Sequence, residues 1–273
     1  MATPCCPTEV KPAVNNYKGF GKDEKIDGLY DMYVSTTAEE SSAPTKAIIL
    51  VYDIFGLTPN AKQLVDQLAV GCGKDYVVCV PDFMRGQAWD PSNVPPTADG
   101  KFPEGVEPGD GVDVLFGWIM THPNCKQDRN EEIEKIRGHL LKSYPSLSKF
   151  GMVGQCWGAK VALIAAKKPG LVDAVASCHG SFISKEDVEA STVPICMLNS
   201  KEEPETYKTE IKPVLDSNAF AAKNFFKDFP NMHHGWMATR GVGANTDFSN
   251  EEILKAYMEG LGDLTTFFTG AMA

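Results

Sequence analysis

Phe150-Gly151-Met152-Val153-Gly154-Gln155-Cys156-Trp157-Gly158-Ala159-Lys160 is the stretch on which the architecture turns. Its first part, Phe150 to Val153, is a short apolar run that stops at a turn, which fits a strand covered on both faces. Its last part opens a run of small residues, Gly158 to Lys168, that reads as a helix. Between them lies G-x-C-x-G. A sharp strand-to-helix turn forces a strained backbone on its apex residue, and side chains two positions away on either side would collide. Gly154 and Gly158 meet that demand around Cys156. The helix then aims its N-terminus at the thiol, which favours thiolate. No serine in the chain lies in G-x-S-x-G, and no other cysteine lies in G-x-C-x-G. A buried structural cysteine is the competing reading, and the strand and helix on either side of Cys156 weigh against it.

The same alternation extends in both directions. Lys46 to Tyr52 reads as a strand, followed by Asp53-Ile54-Phe55-Gly56-Leu57 and then Thr58-Pro59, an N-cap and a first helical residue. Ala61, Leu64, Val65, Leu68 and Ala69 form one helical face. Tyr76 to Val80, Val172 to Ser177, Val193 to Leu198 and Asn224 to Phe229 read as further strands. Gly111 to Met120, Asp128 to Ser143 and Tyr207 to Ala221 read as helices. Ser249-Asn250-Glu251-Glu252 has a capping-box pattern and starts a last helix. Pro91 to Pro108 reads as a long loop, a candidate lid. The expectation is one α/β domain over residues 1–273, with residues 1–45 as an N-terminal strand-and-turn extension. Ser35 to Thr45 would be its surface turn. Alternating strands and helices predict a mostly parallel sheet with helices on both faces, and sites at the C-terminal ends of its strands.

Two more strand ends carry chemistry. Asn231-Met232-His233-His234-Gly235-Trp236 follows the last predicted strand, and His234 is the candidate base, with His233 its neighbour to exclude. Adjacent histidines lack metal-ligand spacing. Leu198-Asn199-Ser200-Lys201-Glu202-Glu203 follows the strand before it. Glu202 is the first choice for the acid that orients the histidine, and Glu203 the second. The order nucleophile, acid, histidine is the one this architecture uses. Backbone N–H groups of Ile54 and Trp157 are the expected oxyanion donors. Ser177-Cys178-His179-Gly180-Ser181 also ends a strand, and fits pocket lining and simple packing equally.

The chain has 273 residues and a net charge of −10, which argues against nucleic acid and anionic membrane as partners. No apolar run is long enough to span a bilayer, and the N-terminus has no secretory pattern, so a cytoplasmic location is expected. Oligomeric state is left open between monomer and homodimer. A thiol redox protein would need a resolving cysteine, and no C-x-x-C is present. A binding protein of the same architecture without catalysis is the other rival.

At Val51-Tyr-Asp-Ile-Phe-Gly56, Val80-Pro-Asp-Phe-Met-Arg85-Gly86, Gly154-Gln-Cys-Trp-Gly158 and His234-Gly-Trp with Arg240-Gly241, the chain resembles the dienelactone hydrolase (carboxymethylenebutenolidase-like) family. It looks closest to a eukaryotic cytosolic branch with a Cys-Cys near the N-terminus, here Cys5-Cys6. The resemblance implies an α/β-hydrolase fold, a Cys-His-Asp triad and hydrolysis of small esters or enol lactones without metal or organic cofactor. Carried over, Cys156 is the nucleophile, His234 the base and Glu202 the acid. Bacterial members hold the resting thiol with a Glu where this chain has Asp53. They grip a substrate carboxylate with arginines, matched here by Arg85 and, further from the histidine, by Arg240.

Overall fold

The computed structural model describes residues 17, 19–26, 31–39, 43–89, 118–238 and 251–273. Eight strands make one sheet: β1 (Lys22–Lys25), β2 (Asp31–Thr36), β3 (Lys46–Val51), β4 (Tyr76–Pro81), β5 (Lys149–Gln155), β6 (Ala174–Cys178), β7 (Ile195–Asn199) and β8 (Phe225–Asp228). Their order is β1-β2-β4-β3-β5-β6-β7-β8. The first two pair antiparallel, and β3 to β8 run parallel. The central runs bury nearly every side chain, which is why their sequences are continuously apolar rather than alternating. β1 is different. Its Lys-Asp-Glu-Lys sequence is mostly exposed on an outer edge, where charge blocks pairing with another chain.

Besides the helical residues 118–121, the α-helices among the described residues are α1 (Pro59–Cys72), α2 (Asn130–Ser143), α3 (Trp157–Ala166), α4 (Lys185–Glu189), α5 (Lys212–Ser217) and α6 (Glu251–Ala271). Thr58 caps α1, its hydroxyl accepting the Ala61 amide at 3.4 Å, with Pro59 at the first helical position as the sequence reads. Leu64, Val65, Leu68 and Ala69 turn into the core from α1. Two elements differ from expectation. The predicted helix Tyr207 to Ala221 is a π-turn, Tyr207–Ile211, running into α5, which ends at Ser217. Pro213 lacks the N–H that a continuous α-helix from Tyr207 would use. At the far end, the Asn218 side chain accepts the Phe220 amide at 2.9 Å and diverts the backbone from helix. Helix α4 was not expected. It starts at a Ser184–Asp187 capping box. Asp187 also receives Lys160 at 2.5 Å and Lys167 at 2.7 Å from α3. Burial resists ionisation of Asp187, but the two lysine bonds outweigh it and hold the carboxyl below its usual range.

The chain leaves β3 toward β4 on one side and returns to β5 on the other, so the crevice between the C-terminal ends of β3 and β5 is a topological switch point. The expected lid Pro91 to Pro108, residues 111–117 of an expected helix, Ser249, Asn250, Arg240, Cys5 and Cys6 lie outside the described residues.

Candidate active site

Cys156 sits at that switch point, at the apex between β5 and α3. Its φ is 52° and its ψ −117°, a conformation that a side chain rarely tolerates. The two glycines are sterically required. A Cβ at Gly154 would lie 2.2 Å from the Gly158 carbonyl oxygen, and one at Gly158 would lie 2.1 Å from the Val51 carbonyl oxygen. The second contact also brings the start of α3 against the end of β3. Trp157 is fully buried, and its indole N–H donates to the Cys125 carbonyl at 2.9 Å. The loop after β6 clasps the apex. The Cys156 amide donates to the Cys178 carbonyl at 3.1 Å, the Ser181 amide donates to the Cys156 carbonyl at 3.0 Å, and the Cys156 thiol lies 3.4 Å from the Ser181 hydroxyl.

His234 is buried in the loop after β8, just before Gly235, whose φ of 85° suits only glycine. His233, its neighbour, is half-buried. His234 Nδ1 lies 2.7 Å from a carboxylate oxygen of Glu203, whose side chain is 3% exposed. Glu203 is the second choice of the sequence, and its geometry replaces the first. Glu202 is exposed, and its carboxylate accepts the His234 main-chain amide at 3.1 Å rather than the ring. The reason is the turn after β7. The amide and hydroxyl of Ser200 both donate to the Glu203 carboxylate, which folds that side chain inward and sends Glu202 outward. Backbone and side-chain bonds then lock the loops together. Lys201 N–H donates to the Met232 carbonyl at 3.0 Å, and the Gln155 amide donates to the Met237 carbonyl at 2.5 Å. The residue before Cys156 is thereby tied to the histidine loop. The ring of His179, fully buried after β6, packs edge-on against His234 at 5.0 Å between centroids.

Residues 32–265 match the sequence profile of the dienelactone hydrolase family. The chain belongs to the dienelactone hydrolase family. An uncharacterised AIM2 family protein of Schizosaccharomyces pombe is 31% identical over 273 residues, covering 98% of this chain and 99% of that one. A carboxymethylenebutenolidase homologue of Homo sapiens is 30% identical over 185 residues, covering 67% of this chain and 64% of its own length. The crystal structure of a candidate dienelactone hydrolase from Klebsiella pneumoniae superposes with a TM-score of 0.62 at 13% identity, covering 88% of this chain and 96% of that one. At that identity the likeness is one of fold, the α/β-hydrolase fold.

The family's other expected positions lie on the turns after β3 and β4. Asp53 is buried, and its carboxylate accepts the Phe55 amide at 2.9 Å, shaping the turn that presents Ile54. The Ile54 carbonyl accepts the Trp89 amide at 2.9 Å. Trp89 in turn packs edge-on against Trp118 at 5.2 Å, so both are anchors for this side of the crevice. Arg85 has a positive φ of 53°, and its guanidinium is 46% exposed and 3.8 Å from Glu132. Among the described residues, no group of three or more His, Cys, Asp or Glu side chains could hold a metal ion, and no helix is long and apolar enough to cross a membrane. Sequence reading undervalued Ser181, His179 and Gln155. The signal for the first two was present, since Cys178-His179-Gly180-Ser181 ends a strand beside the elbow.

Proposed function

We propose that the protein hydrolyses small activated esters and enol lactones through Cys156, His234 and Glu203. One observation carries the reading: a cysteine in a strained strand-to-helix elbow and a buried His–Glu pair follow the C-terminal ends of parallel strands β5, β7 and β8 of the same sheet. In this mechanism His234 takes the thiol proton and the thiolate attacks the acyl carbon. The Glu203 carboxylate fixes the imidazole tautomer and stabilises the cation. The oxyanion is held by the N–H groups of Trp157, at the start of α3, and Ile54, on the turn after β3. The leaving group departs as the C–O bond breaks, taking the proton from His234. Water deprotonated by His234 then splits the thioester. Thiolate attack suits leaving groups such as enolates and phenolates better than amines. Arg85 and Asp53, on the turns after β4 and β3, and Arg240 are the proposed substrate-side residues. The chemistry is complete with these side chains and water.

The test is turnover of p-nitrophenyl acetate by wild type, Cys156→Ala and His234→Ala, followed by a panel of lactones. Turnover in the wild type and loss of about 10³-fold or more in both variants is expected. A wild type that neither turns over nor acylates with any ester or lactone leaves a hydrolase-fold binding protein as the reading to pursue.

A further inference from the structure

The loop after β6 is more elaborate than a crossover needs. Two of its residues other than glycine have positive φ, His179 at 40° and Phe182 at 62°. Between them, a Cβ at Gly180 would lie 2.4 Å from both the Ile183 side chain and the Ser177 hydroxyl, and 2.9 Å from Ala159 of α3. Strain of this kind persists only where the surroundings over-determine the backbone. They do so here. The buried Tyr207 hydroxyl donates to the Gly180 carbonyl at 3.1 Å and accepts the Ile183 amide at 3.2 Å. The His179 amide donates to the Leu198 carbonyl at 2.7 Å. What this scaffold holds in place is Ser181, whose amide grips the nucleophile's carbonyl and whose hydroxyl is 3.4 Å from its sulfur.

The Asp53 carboxylate accepts the Phe55 amide of its own turn. The group at 3.4 Å from the sulfur is a neutral hydroxyl. A carboxylate beside the sulfur would repel the thiolate, whereas a hydroxyl can donate to it. Either atom can donate while the sulfur is a thiol, but only the serine can once the proton has gone.

We propose that the Ser181 hydroxyl is a further catalytic group: it donates a hydrogen bond to the Cys156 thiolate and keeps the nucleophile ready before substrate arrives. The proposal rests on Cys156 being the nucleophile. Ser181 undergoes no covalent change. Its O–H keeps its proton, the thiol proton goes to His234, and the hydrogen bond is released as the sulfur bonds to the acyl carbon. The strained loop ensures that the donor is already oriented, so no reorganisation accompanies ionisation. Ionisable groups at or beyond the C-terminal ends of the neighbouring strands are Cys178, the last residue of β6, and His179 after it, Glu202 and Glu203 after β7, His234 after β8 and Asp53 after β3. Burial pushes the Cys178 thiol up, so it does not compete as a thiolate.

The experiment is the rate of Cys156 alkylation by iodoacetamide against pH. It is read by peptide mass on the full chain, without any ester, for wild type, Ser181→Ala, Ser181→Thr and Tyr207→Phe. A hydrogen bond to an ionised group shifts a titration by about one unit or more. Ser181→Ala is therefore expected to raise the midpoint by about one pH unit and slow labelling about tenfold below it. Ser181→Thr, which keeps the hydroxyl, is expected to retain the wild-type midpoint. Tyr207→Phe, which loosens the loop and spares the hydroxyl, is expected to shift it the same way by less. An unchanged midpoint in Ser181→Ala overturns the proposal, as does an equal shift in Ser181→Thr. If Ser181→Ala does not fold, an unchanged midpoint in Tyr207→Phe overturns it. Ester turnover without the alkylation shift sinks this proposal alone, and the shift without ester turnover sinks the hydrolase reading alone.

Discussion

The two walls of the crevice between β3 and β5 are built on different principles. On the β5–β8 side, each proposed reacting group is fixed by backbone shape or by buried bonds. The Gly154 and Gly158 contacts force the Cys156 elbow, Ser200 folds Glu203 inward, and Glu203 holds the His234 ring at 2.7 Å. On the β3–β4 side, the turn backbones are equally well made and Asp53 is buried, but Arg85, the other proposed substrate contact on these turns, reaches solvent. Arg85 is nearly half exposed, and its Glu132 partner is 3.8 Å away. An exposed ion pair at that distance contributes little, so Arg85 can exchange Glu132 for a substrate anion at small cost. In the proposed mechanism, chemistry is built into the fold on one wall, while selection on the other rests on Arg85, a replaceable side chain.

Breaking the first wall should be severe. Gly158→Ala drives a Cβ into the Val51 carbonyl oxygen and has no flexible neighbour to move aside. It should cost about 3 kcal/mol or more in urea unfolding, or prevent folding. Gly138→Ala, in the middle of α2 where a Cβ meets nothing within 4 Å, should stabilise by about 0.5–1 kcal/mol. The two alanines together separate a glycine demanded by the site from one that is merely present.

The acid pair sharpens the same contrast within one turn. Glu203→Gln should lower kcat by about 10²-fold, because the imidazole loses the charge that fixes its tautomer. Glu202→Gln alters a carboxylate that accepts the His234 main-chain amide rather than the ring, and should cost less than about tenfold. Steady-state kinetics on one aryl ester decides between them, and equal losses would remove the distinction drawn here. On the other wall, Arg85→Gln should raise KM for a carboxylate-bearing ester by up to about tenfold and leave kcat and a neutral ester unchanged.

The same division explains what was legible in the sequence. The apolar runs of β3 to β8, the Thr58-Pro59 helix start and the glycines around Cys156 are local signals with local causes, so they read correctly from residues alone. His234 and the turn after β7 stood out by their position after strands. Which of two adjacent glutamates faces inward was not readable, because Ser200 decides it by hydrogen bonds that form only in the folded turn. That Ser181 is the residue of its strand end that meets Cys156 was not readable for a related reason. Its contact with Cys156 depends on the β5–β6 pairing and on Tyr207, contributed from 26 residues further along the chain. Edge strand β1 carries no periodic signal, since its charged residues answer to solvent rather than to a core.

The central claim is that Cys156 carries the acyl group, and acid-quenched intact mass spectrometry on the millisecond-to-second scale after mixing with p-nitrophenyl acetate tests it most directly. The account predicts a species heavier by one acetyl group, mapped by peptide mass to Cys156, that decays as product appears and is missing in Cys156→Ala. Turnover that persists in Cys156→Ala, or an acetyl group that maps to another residue, would contradict it.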